Sequence, residues 1–240
     1  MLIKSRCVVL HVLKYTEDAV IVDTFTEKLG KVSFIVKLSR SKRAMVKPGF
    51  LQPLSILEAE WNNNRASLAR FKTVRVWQQA ANIPIDPYKT AIAMFISEFL
   101  KHTLHEEHDS ELLFEYLVRS VEWLDTCKGG FANFHIVFLL RLTRFLGFHP
   151  NLRDFREGCY FDMLNSCFTD RQPLHSHYLT PKDAALLPLL MRMQFATMHV
   201  FKFSEQERNS LLRHINNYYR LHIPNFPELK SLDVLRELFS

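Results

Sequence analysis

The stretch AVIVDTFTEKLGKVSFIVKL, residues 19–38, decides the fold of the N-terminal part of the chain. Its first segment, 19–25, is rich in β-branched residues, and in its second, 31–38, apolar residues recur at alternate positions. Both features are typical of β-strands, and Gly30 lies between them, where a tight turn favours glycine. The stretch therefore predicts a β-hairpin.

Three further segments extend this hairpin into a small all-β domain. Residues 6–14, 54–61 and 66–77 read as strands, and the Asn-Asn-Asn sequence at 62–64 marks a turn between the last two. Five short strands with a basic segment between the third and the fourth predict a five-stranded barrel of the OB type, which commonly binds single-stranded nucleic acid. An SH3-like barrel would give nearly the same pattern.

The pattern changes after the fifth strand. The sequence IPIDP at 83–87 interrupts the strands, and Asp86 followed by Pro87 is a typical helix start with the aspartate as N-cap. Apolar residues then recur at helical spacing. We therefore predict an α+β protein, with an OB-type basic β-barrel that binds DNA at 1–82 and an α-helical, partner-binding domain at 83–240.

Local signals mark several helices in the second domain. Residues 131–146 are apolar around most of a helix and are followed by Gly147, which predicts a central, buried helix that ends there. Further helices are predicted to begin at Thr180 and at Ser204, where Glu207 completes a capping box. The second domain is therefore expected to be helical throughout, apart from connectors.

Positive charge is concentrated in the predicted barrel. The first 80 residues hold 14 Lys and Arg against 6 Asp and Glu, a net charge of +8, whereas the remainder holds 17 against 19, a net charge of −2. Residues 31–47 contain six cations and no acid, which indicates a polyanionic partner such as a phosphate backbone, although a solvated surface gives the same pattern. The predicted phosphate contacts are Lys31, Lys37, Arg40, Lys42, Arg43 and Lys47, extended along the later strands by Arg65, Arg70, Lys72 and Arg75.

Aromatic residues in the predicted strands are candidates for stacking on nucleic-acid bases. They are Phe34, Trp61, Phe71 and Trp77. Aromatic stacking is common in proteins that bind single strands, but most aromatic residues of a small barrel belong to its core. We expect at most one or two of the four to face the nucleic acid.

The most specific alternative is that the chain binds a metal ion. The candidate ligands are His149, Cys159, Cys167, His175 and His177. Structural zinc favours cysteines separated by two to four residues, whereas seven residues separate these two, so we expect a polar connector without metal. The sequence contains no Gly-x-Ser-x-Gly and no phosphate-binding glycine loop, and we predict neither catalysis nor a cofactor.

Cysteine usage and hydropathy indicate the compartment. Four scattered cysteines fit a reducing environment, and the longest apolar stretch, 184–191, is eight residues long. A membrane span needs about 20 apolar residues. We therefore expect a soluble, cytoplasmic protein without membrane association.

Two arginines interrupt the apolar segment at 131–146. Arg141 and Arg144 lie three positions apart, so they share one face of the predicted helix. They either pair with an acidic neighbour or form a pocket for the carboxylate of a partner peptide beside an apolar groove.

Short motifs spread over nearly the whole chain resemble one protein family. They are Val8-Val9-Leu10, Tyr15-Thr16-Glu17-Asp18, Phe25-Thr26-Glu27, Gly30-Lys31, Leu51-Gln52-Pro53-Leu54, Phe138-Leu139-Leu140-Arg141-Leu142 and Tyr219-Arg220-Leu221-His222. In order and spacing they are similar to the RecO family of bacterial DNA repair and recombination mediator proteins. The chain departs from the family at Leu38-Ser39, where a glycine is common, and keeps only Cys159 and Cys167 where many members have four zinc-ligand cysteines.

The resemblance implies a non-enzymatic function. Such a protein binds single- and double-stranded DNA, anneals complementary strands, contacts the acidic C-terminal tail of the single-strand binding protein SSB, and works with RecR to load RecA. It also implies a nucleoid-associated location in the cytoplasm, and we assign the SSB-tail pocket to Arg141 with Arg144 as its companion. The alternatives are a protein-interaction scaffold whose basic barrel binds an acidic protein and, third, a zinc-dependent enzyme.

Overall fold

The computed structural model describes residues 1–39, 41, 45–62, 68–105 and 110–238. The contacts between residues divide the chain into two compact units, the first made of Met1–Thr126 with Leu229–Leu238 and the second of Cys127–Glu228. The predicted barrel domain, 1–82, lies entirely within the first unit.

Five antiparallel strands form the sheet of the first unit. They are β1 (Leu2–Lys14), β2 (Ala19–Thr26), β3 (Gly30–Lys37), β4 (Ile56–Asn62) and β5 (Phe71–Gln78). They lie in the order β3-β2-β1-β4-β5. The five predicted strands are thus all present, and the α+β fold class with an OB-type N-terminal sheet is confirmed.

The two edges of this sheet meet at a single residue. Ala69, just before β5, accepts a hydrogen bond from the amide of Ile35 at 2.9 Å and donates one to the carbonyl of Ser33 at 3.0 Å. The sheet therefore curls until β3 touches the segment just before β5, and the residues that the structure describes form no continuous ladder there. Gly30 begins β3 with a φ of +65°, a conformation that glycine adopts without the steric cost of a side chain.

The inside of the curled sheet is apolar and aromatic. Phe34 and Trp61 are fully buried there, with ring centroids 5.3 Å apart in an edge-to-face arrangement. Cys7 is also fully buried, and burial raises the pKa of its thiol to about 12, so this cysteine is unreactive. The alternating residues of the hairpin at 19–38 supply much of this core, as their pattern predicts.

Helices make up most of the rest of the described chain. They are α1 (Pro87–Thr103), α2 (Ser110–Thr126), α3 (Phe134–Leu146), α4 (Pro181–Ala184), α5 (Leu187–Arg192), α6 (Glu205–His222) and α7 (Ser231–Leu238), with short 3-10 helices at Pro48–Leu51 and Met198–Val200. None of the helices in the described part of the chain is both long and apolar enough to cross a membrane.

Local capping fixes the start of α1 as predicted. Asp86 accepts hydrogen bonds from the amides of Tyr88 and Lys89 at 2.9 and 3.2 Å. Asp125 lies at the C-terminal end of α2, and its carboxylate accepts three amide hydrogen bonds from residues 81–83. This carboxylate therefore anchors the segment that leads from β5 into α1.

The second unit is built around α3. This helix is buried along most of its length and ends at Gly147, whose φ of +83° is the left-handed C-terminal conformation expected from the sequence. The hydroxyl of Tyr219 on α6 donates to the carbonyl of Leu139 at 2.7 Å, which holds α6 against α3. The predicted capping box of Ser204 and Glu207 begins α6.

A small sheet in the second unit was not predicted. Its strands are β6 (Tyr160–Asp162), β7 (Cys167–Thr169) and β8 (Tyr178–Leu179), in the antiparallel order β7-β6-β8. The connector between the predicted helices at 131–146 and 180 onward therefore contains three short strands that the sequence analysis did not predict. Strands of two or three residues are too short to show a period in the sequence.

Candidate nucleic-acid interface

The predicted phosphate contacts fall into three groups in the structure. Arg40, Lys42, Arg43 and Arg65 lie outside the described residues. Lys31, Lys37 and Arg75 have protein partners. Lys47, Arg70 and Lys72 are exposed, and no acidic residue in the described part of the chain forms an ion pair with them.

Lys31 caps a helix. Its ammonium donates to the main-chain carbonyl of Lys101 at 2.9 Å, and this carbonyl is among the last four of α1. Carbonyls at a helix C-terminus have no partner within the helix and carry partial negative charge. Lys31 therefore has a structural partner that its position in the acid-free segment 31–47 does not reveal.

Lys37 and Arg75 form ion pairs at the surface. The ammonium of Lys37 lies 3.2 Å from the carboxylate of Asp18, and the guanidinium of Arg75 donates to the carboxylate of Glu58 at 2.5 Å. Arg75 and hydrogen bonding hold the pKa of Glu58 below its usual value. Such exposed pairs are weak, so a polyanion can still compete for the two cations.

The outer face of β1 and β4 is charge-balanced. Arg6 donates hydrogen bonds to both Glu27 and Glu115, and its guanidinium lies 5.4 Å from the ring centre of Trp77 and 5.1 Å from that of Phe114. These carboxylates raise the pKa of Arg6 and, in turn, Arg6 lowers that of Glu27. The face as a whole is therefore not a cationic surface.

A groove opens where the two edges of the sheet meet. Its volume is about 550 Å³, and it lies beside the backbone of Ala69. We call it the closure groove, and the side chains that line it are those of Ile35, Asn62, Leu68, Arg70, Phe71 and Lys72. It brings together two of the exposed cations, Arg70 and Lys72, and one of the four candidate aromatic residues.

The remaining aromatic candidates have other surroundings. Phe34 and Trp61 are core residues with at most 1% of their surface exposed, so neither can stack on a base. Trp77 is 46% exposed but has the guanidinium of Arg6 over its ring. Ile35, Asn62 and Leu68, which complete the closure groove, were missed by the sequence analysis because only the sheet closure brings them to one place.

Arg141 and Arg144 lie on α3 in the second unit. The guanidinium of Arg141 donates to the carbonyl of Met193 at 3.1 Å, while its Nε is buried without a hydrogen bond to any described residue. Arg144 is exposed and donates to His149 at 3.3 Å, and burial together with Arg144 lowers the pKa of His149. Neither arginine forms an ion pair within the described chain.

The candidate zinc ligands do not converge. The thiol of Cys159 is buried and donates to Asp170 at 3.4 Å, whereas Cys167 lies in β7, where burial and nearby carboxylates raise its pKa. His175 contacts Asp162 at 3.3 Å. Among the described residues there is no cluster of three or more His, Cys, Asp or Glu side chains that could hold a metal ion.

The first unit has an OB-type sheet with a cation-lined groove, and the chain continues into helices. These features assign it to the class of α+β proteins with an N-terminal OB-type domain. Residues 1–80 match the family model described as Recombination protein O N terminal, and residues 85–233 match the one described as Recombination protein O C terminal. The chain belongs to this family, RecO.

Relatives named DNA repair protein RecO align with the chain over its full length and theirs. The one from Bacteroides fragilis is 52% identical over 242 residues, and the one from Phocaeicola vulgatus is 50% identical over 241. The one from Porphyromonas gingivalis is 34% identical over 248 residues. The chain is therefore a member of a family of DNA repair proteins.

Proposed function

We propose that the protein is a DNA-binding recombination mediator. It binds single- and double-stranded DNA through the cations of its N-terminal sheet, anneals complementary strands, and helps to load a recombinase on DNA coated with SSB. The family to which the chain belongs supports a role in DNA repair, and the charge distribution supports the DNA-binding step. Binding rather than bond-making chemistry carries the function, and the place of action is the cytoplasm, at the nucleoid.

The observation that carries the proposal is the presence around the closure groove of exposed cations that form no ion pair with a described residue. Arg70 and Lys72 flank this groove, and Lys47 adds a further exposed charge in the same compact unit. Phosphates are the polyanion that such cations most commonly bind. We rank these three first among the described contacts, Lys37 and Arg75 second, and Lys31 last. Arg40, Lys42, Arg43 and Arg65 are proposed from their charge alone.

Fluorescence anisotropy at several salt concentrations tests the DNA-binding step. If the protein contacts about five phosphates of a labelled single strand, log affinity falls with log salt at a slope near −3.5. A Lys42→Glu, Arg43→Glu variant should bind more weakly and with a shallower slope. If the strand does not bind even at low salt, or if the sheet binds an acidic protein that excess oligonucleotide does not displace, the scaffold alternative takes its place.

Arg141 is the proposed anchor for the SSB tail. Its buried Nε has no hydrogen bond to a described residue, and arginine recognises carboxylates through paired N–H donors. Arg144, on the same face, is a weaker companion because it is exposed. An acidic C-terminal peptide of SSB should lose affinity at least fivefold on Arg141→Ala, and unchanged affinity would remove this assignment. Arg213→Ala on α6 is a matched control.

A partnership with RecR and the loading of RecA complete the proposal. Both rest on family membership rather than on a surface in this chain. Cosedimentation of the purified protein with RecR tests the first, and displacement of SSB by RecA on long single strands tests the second. Loading that proceeds equally fast without this protein would contradict the mediator role.

A further inference from the structure

We infer that Phe71 is a stacking platform for one base of single-stranded DNA, and that the closure groove is the subsite that holds this nucleotide. The inference deepens the proposed function, on which it rests, by separating a subsite for single strands from the general phosphate contacts. It follows from the aromatic arrangement inside the sheet, from the lining of the closure groove and from the surroundings of Trp77, the most exposed of the four candidate aromatic residues.

Phe71 is the outermost ring of a short aromatic column. Its ring is nearly parallel to that of Phe34, with centroids 4.1 Å apart and an interplanar angle of 18°. Phe34 in turn meets Trp61 edge to face, and both are fully buried, whereas Phe71 is only partly buried and lines the closure groove. One face of Phe71 is thus held by a rigid core ring, and its exposed part faces the groove.

A β-bulge places Phe71 at this position. The register between β4 and β5 shifts between Glu60 and Trp61, so that Phe71 pairs with Trp61 while Thr73 pairs with Glu60. Without the shift, Phe71 would share the outward face of Thr73 and Arg75. Bulges commonly redirect a side chain next to a functional site. Here the bulge turns the ring toward the core column at the sheet edge.

The lining of the closure groove suits a nucleotide. Leu68, which is 38% exposed, and Ile35 offer apolar contact beside the ring, and the Asn62 amide can donate and accept hydrogen bonds. Arg70 and Lys72 immediately flank Phe71 in sequence and are exposed, so they can contact the phosphates on either side of a stacked base. A volume of about 550 Å³ accommodates one nucleotide.

The ligand is single-stranded DNA because its bases have free faces. In a duplex both faces of each base are covered by neighbouring pairs, and proteins reach only the base edges and the phosphates. An unpaired base can add to an aromatic ring, and each such stack contributes substantially to affinity. Phosphate contacts by Arg70 and Lys72 serve both forms of DNA, whereas the ring of Phe71 serves only the single strand.

Among the four candidate aromatic residues, Trp77 is the competing platform, and its surroundings disfavour it. It is more exposed than Phe71, but the guanidinium of Arg6 lies 5.4 Å from its ring centre, and Arg6 is held there by two carboxylates. A base on that face would have to displace an arginine that is fixed by Glu27 and Glu115. Trp77→Leu is therefore the matched control for Phe71→Leu.

The test compares the full-length protein with Phe71→Leu, Phe71→Tyr and Trp77→Leu, using a labelled oligothymidylate and a duplex of equal length. Phe71→Leu should weaken single-strand binding about tenfold, since the ring is lost while an apolar side chain remains, and duplex binding should change less than about twofold. Phe71→Tyr, which keeps the ring, should recover most of the loss. Trp77→Leu should not reproduce it.

A second readout uses the unaltered protein, so it does not depend on the stability of a variant. Fluorescence of 2-aminopurine, placed at successive positions of a short single strand, falls when the base stacks. At least one position should be quenched on binding, and an abasic site there should weaken binding as much as Phe71→Leu does. The abasic strand and Phe71→Leu together should cost no more than either alone.

The inference and the proposed function fail in different ways. If the unaltered protein binds single strands with the expected salt dependence but no 2-aminopurine is quenched, or Phe71→Leu binds like the unaltered protein, the stacking platform is wrong and the DNA-binding proposal stands. An equal loss for duplex and single strand would also overturn the platform. If the unaltered protein binds neither form, both proposals fail.

Discussion

Two regions of the first unit both contain lysine and arginine side chains but differ in local charge: one is balanced by carboxylates and the other is cationic. On the outer face of β1 and β4, Arg6 and Lys4 lie against carboxylates from β4, from α2 and from the turn after β2, so that charge is cancelled locally. At the closure groove, Arg70 and Lys72 have no such partners among the described residues. Net charge counted along the sequence cannot distinguish these regions, because the acids that decide the matter come from distant positions.

The largest expected effect is a loss of stability, and it comes from a change on the charge-balanced outer face of β1 and β4. Arg6→Ala leaves the carboxylates of Glu27 and Glu115 without their cation and removes the contact with the rings of Trp77 and Phe114. Breaking a partly buried pair in this way should lower the free energy of unfolding by about 2 kcal/mol, between the values for buried and for exposed pairs, as measured by urea denaturation. DNA affinity at a temperature where the variant is folded should not change.

The pH dependence of stability sharpens this prediction. Arg6 holds the pKa of Glu27 below its usual value of 4.5, so the pair stabilises the fold above that pH and the contribution is lost as the carboxylate is protonated on acidification. The unfolding free energy of Arg6→Ala should therefore fall less steeply than that of the unaltered protein as pH drops below about 4.5. Lys4→Ala is the control, because Lys4 makes only long, exposed contacts and should change stability by less than about 0.5 kcal/mol. Equal acid sensitivity of the Arg6 variant and the unaltered protein would contradict the role given to Arg6.

The next largest expected effect is a loss of DNA affinity, and it comes from charge reversal at the closure groove. Arg70→Glu with Lys72→Glu removes two proposed phosphate contacts, and each contact contributes roughly fivefold in affinity at about 0.1 M salt. Single-strand binding should therefore weaken at least 25-fold in an anisotropy titration, with little change in melting temperature. The matched control is Lys14→Glu with Lys28→Glu, a double charge reversal at two exposed cations of the same unit that do not line the closure groove, which should cost much less. If the two double variants lose affinity equally, the groove has no special part in binding.

Much of this comparison could not be obtained from the sequence, for identifiable physical reasons. Strand alternation at 19–38 and the caps at Asp86 and Ser204 are local signals, and the structure has the elements that they predict. The pairing of Arg75 with Glu58 depends on the register of two strands and is not encoded locally.

The position of Phe71 shows the same limit more sharply. A strict period of two would place it with Thr73 and Arg75, and only the bulge opposite Trp61 reverses its side of the sheet. The three short strands of the small sheet, β6 to β8, were missed because two or three residues cannot show a period. Local patterns thus gave the elements, whereas the site depends on how those elements pair.

Lys31 lies in the acid-free segment 31–47 but has a partner within the protein. A substitution of Lys31 shows whether it stabilises the fold or contacts DNA. Its ammonium caps the C-terminus of α1, so Lys31→Met should lower the free energy of unfolding by about 1 kcal/mol. The salt slope of single-strand binding should stay the same. A slope that becomes shallower by about 0.7, with unchanged stability, would instead place Lys31 among the phosphate contacts.

The smallest effects are expected for the cations with exposed partners. Lys37 and Arg75 are 80% and 69% exposed, and their carboxylates Asp18 and Glu58 repel an approaching phosphate while they hold the cation. Arg75→Ala should therefore weaken single-strand binding less than threefold at 0.1 M salt, because the variant loses a cation whose charge was already largely balanced. Glu58→Gln provides the complementary measurement. It releases Arg75 from its partner and should strengthen binding by a similar factor, and this gain should disappear when Arg75 is also replaced by Ala. An unchanged affinity for Glu58→Gln would mean that pairing within the sheet does not control which cations meet the DNA.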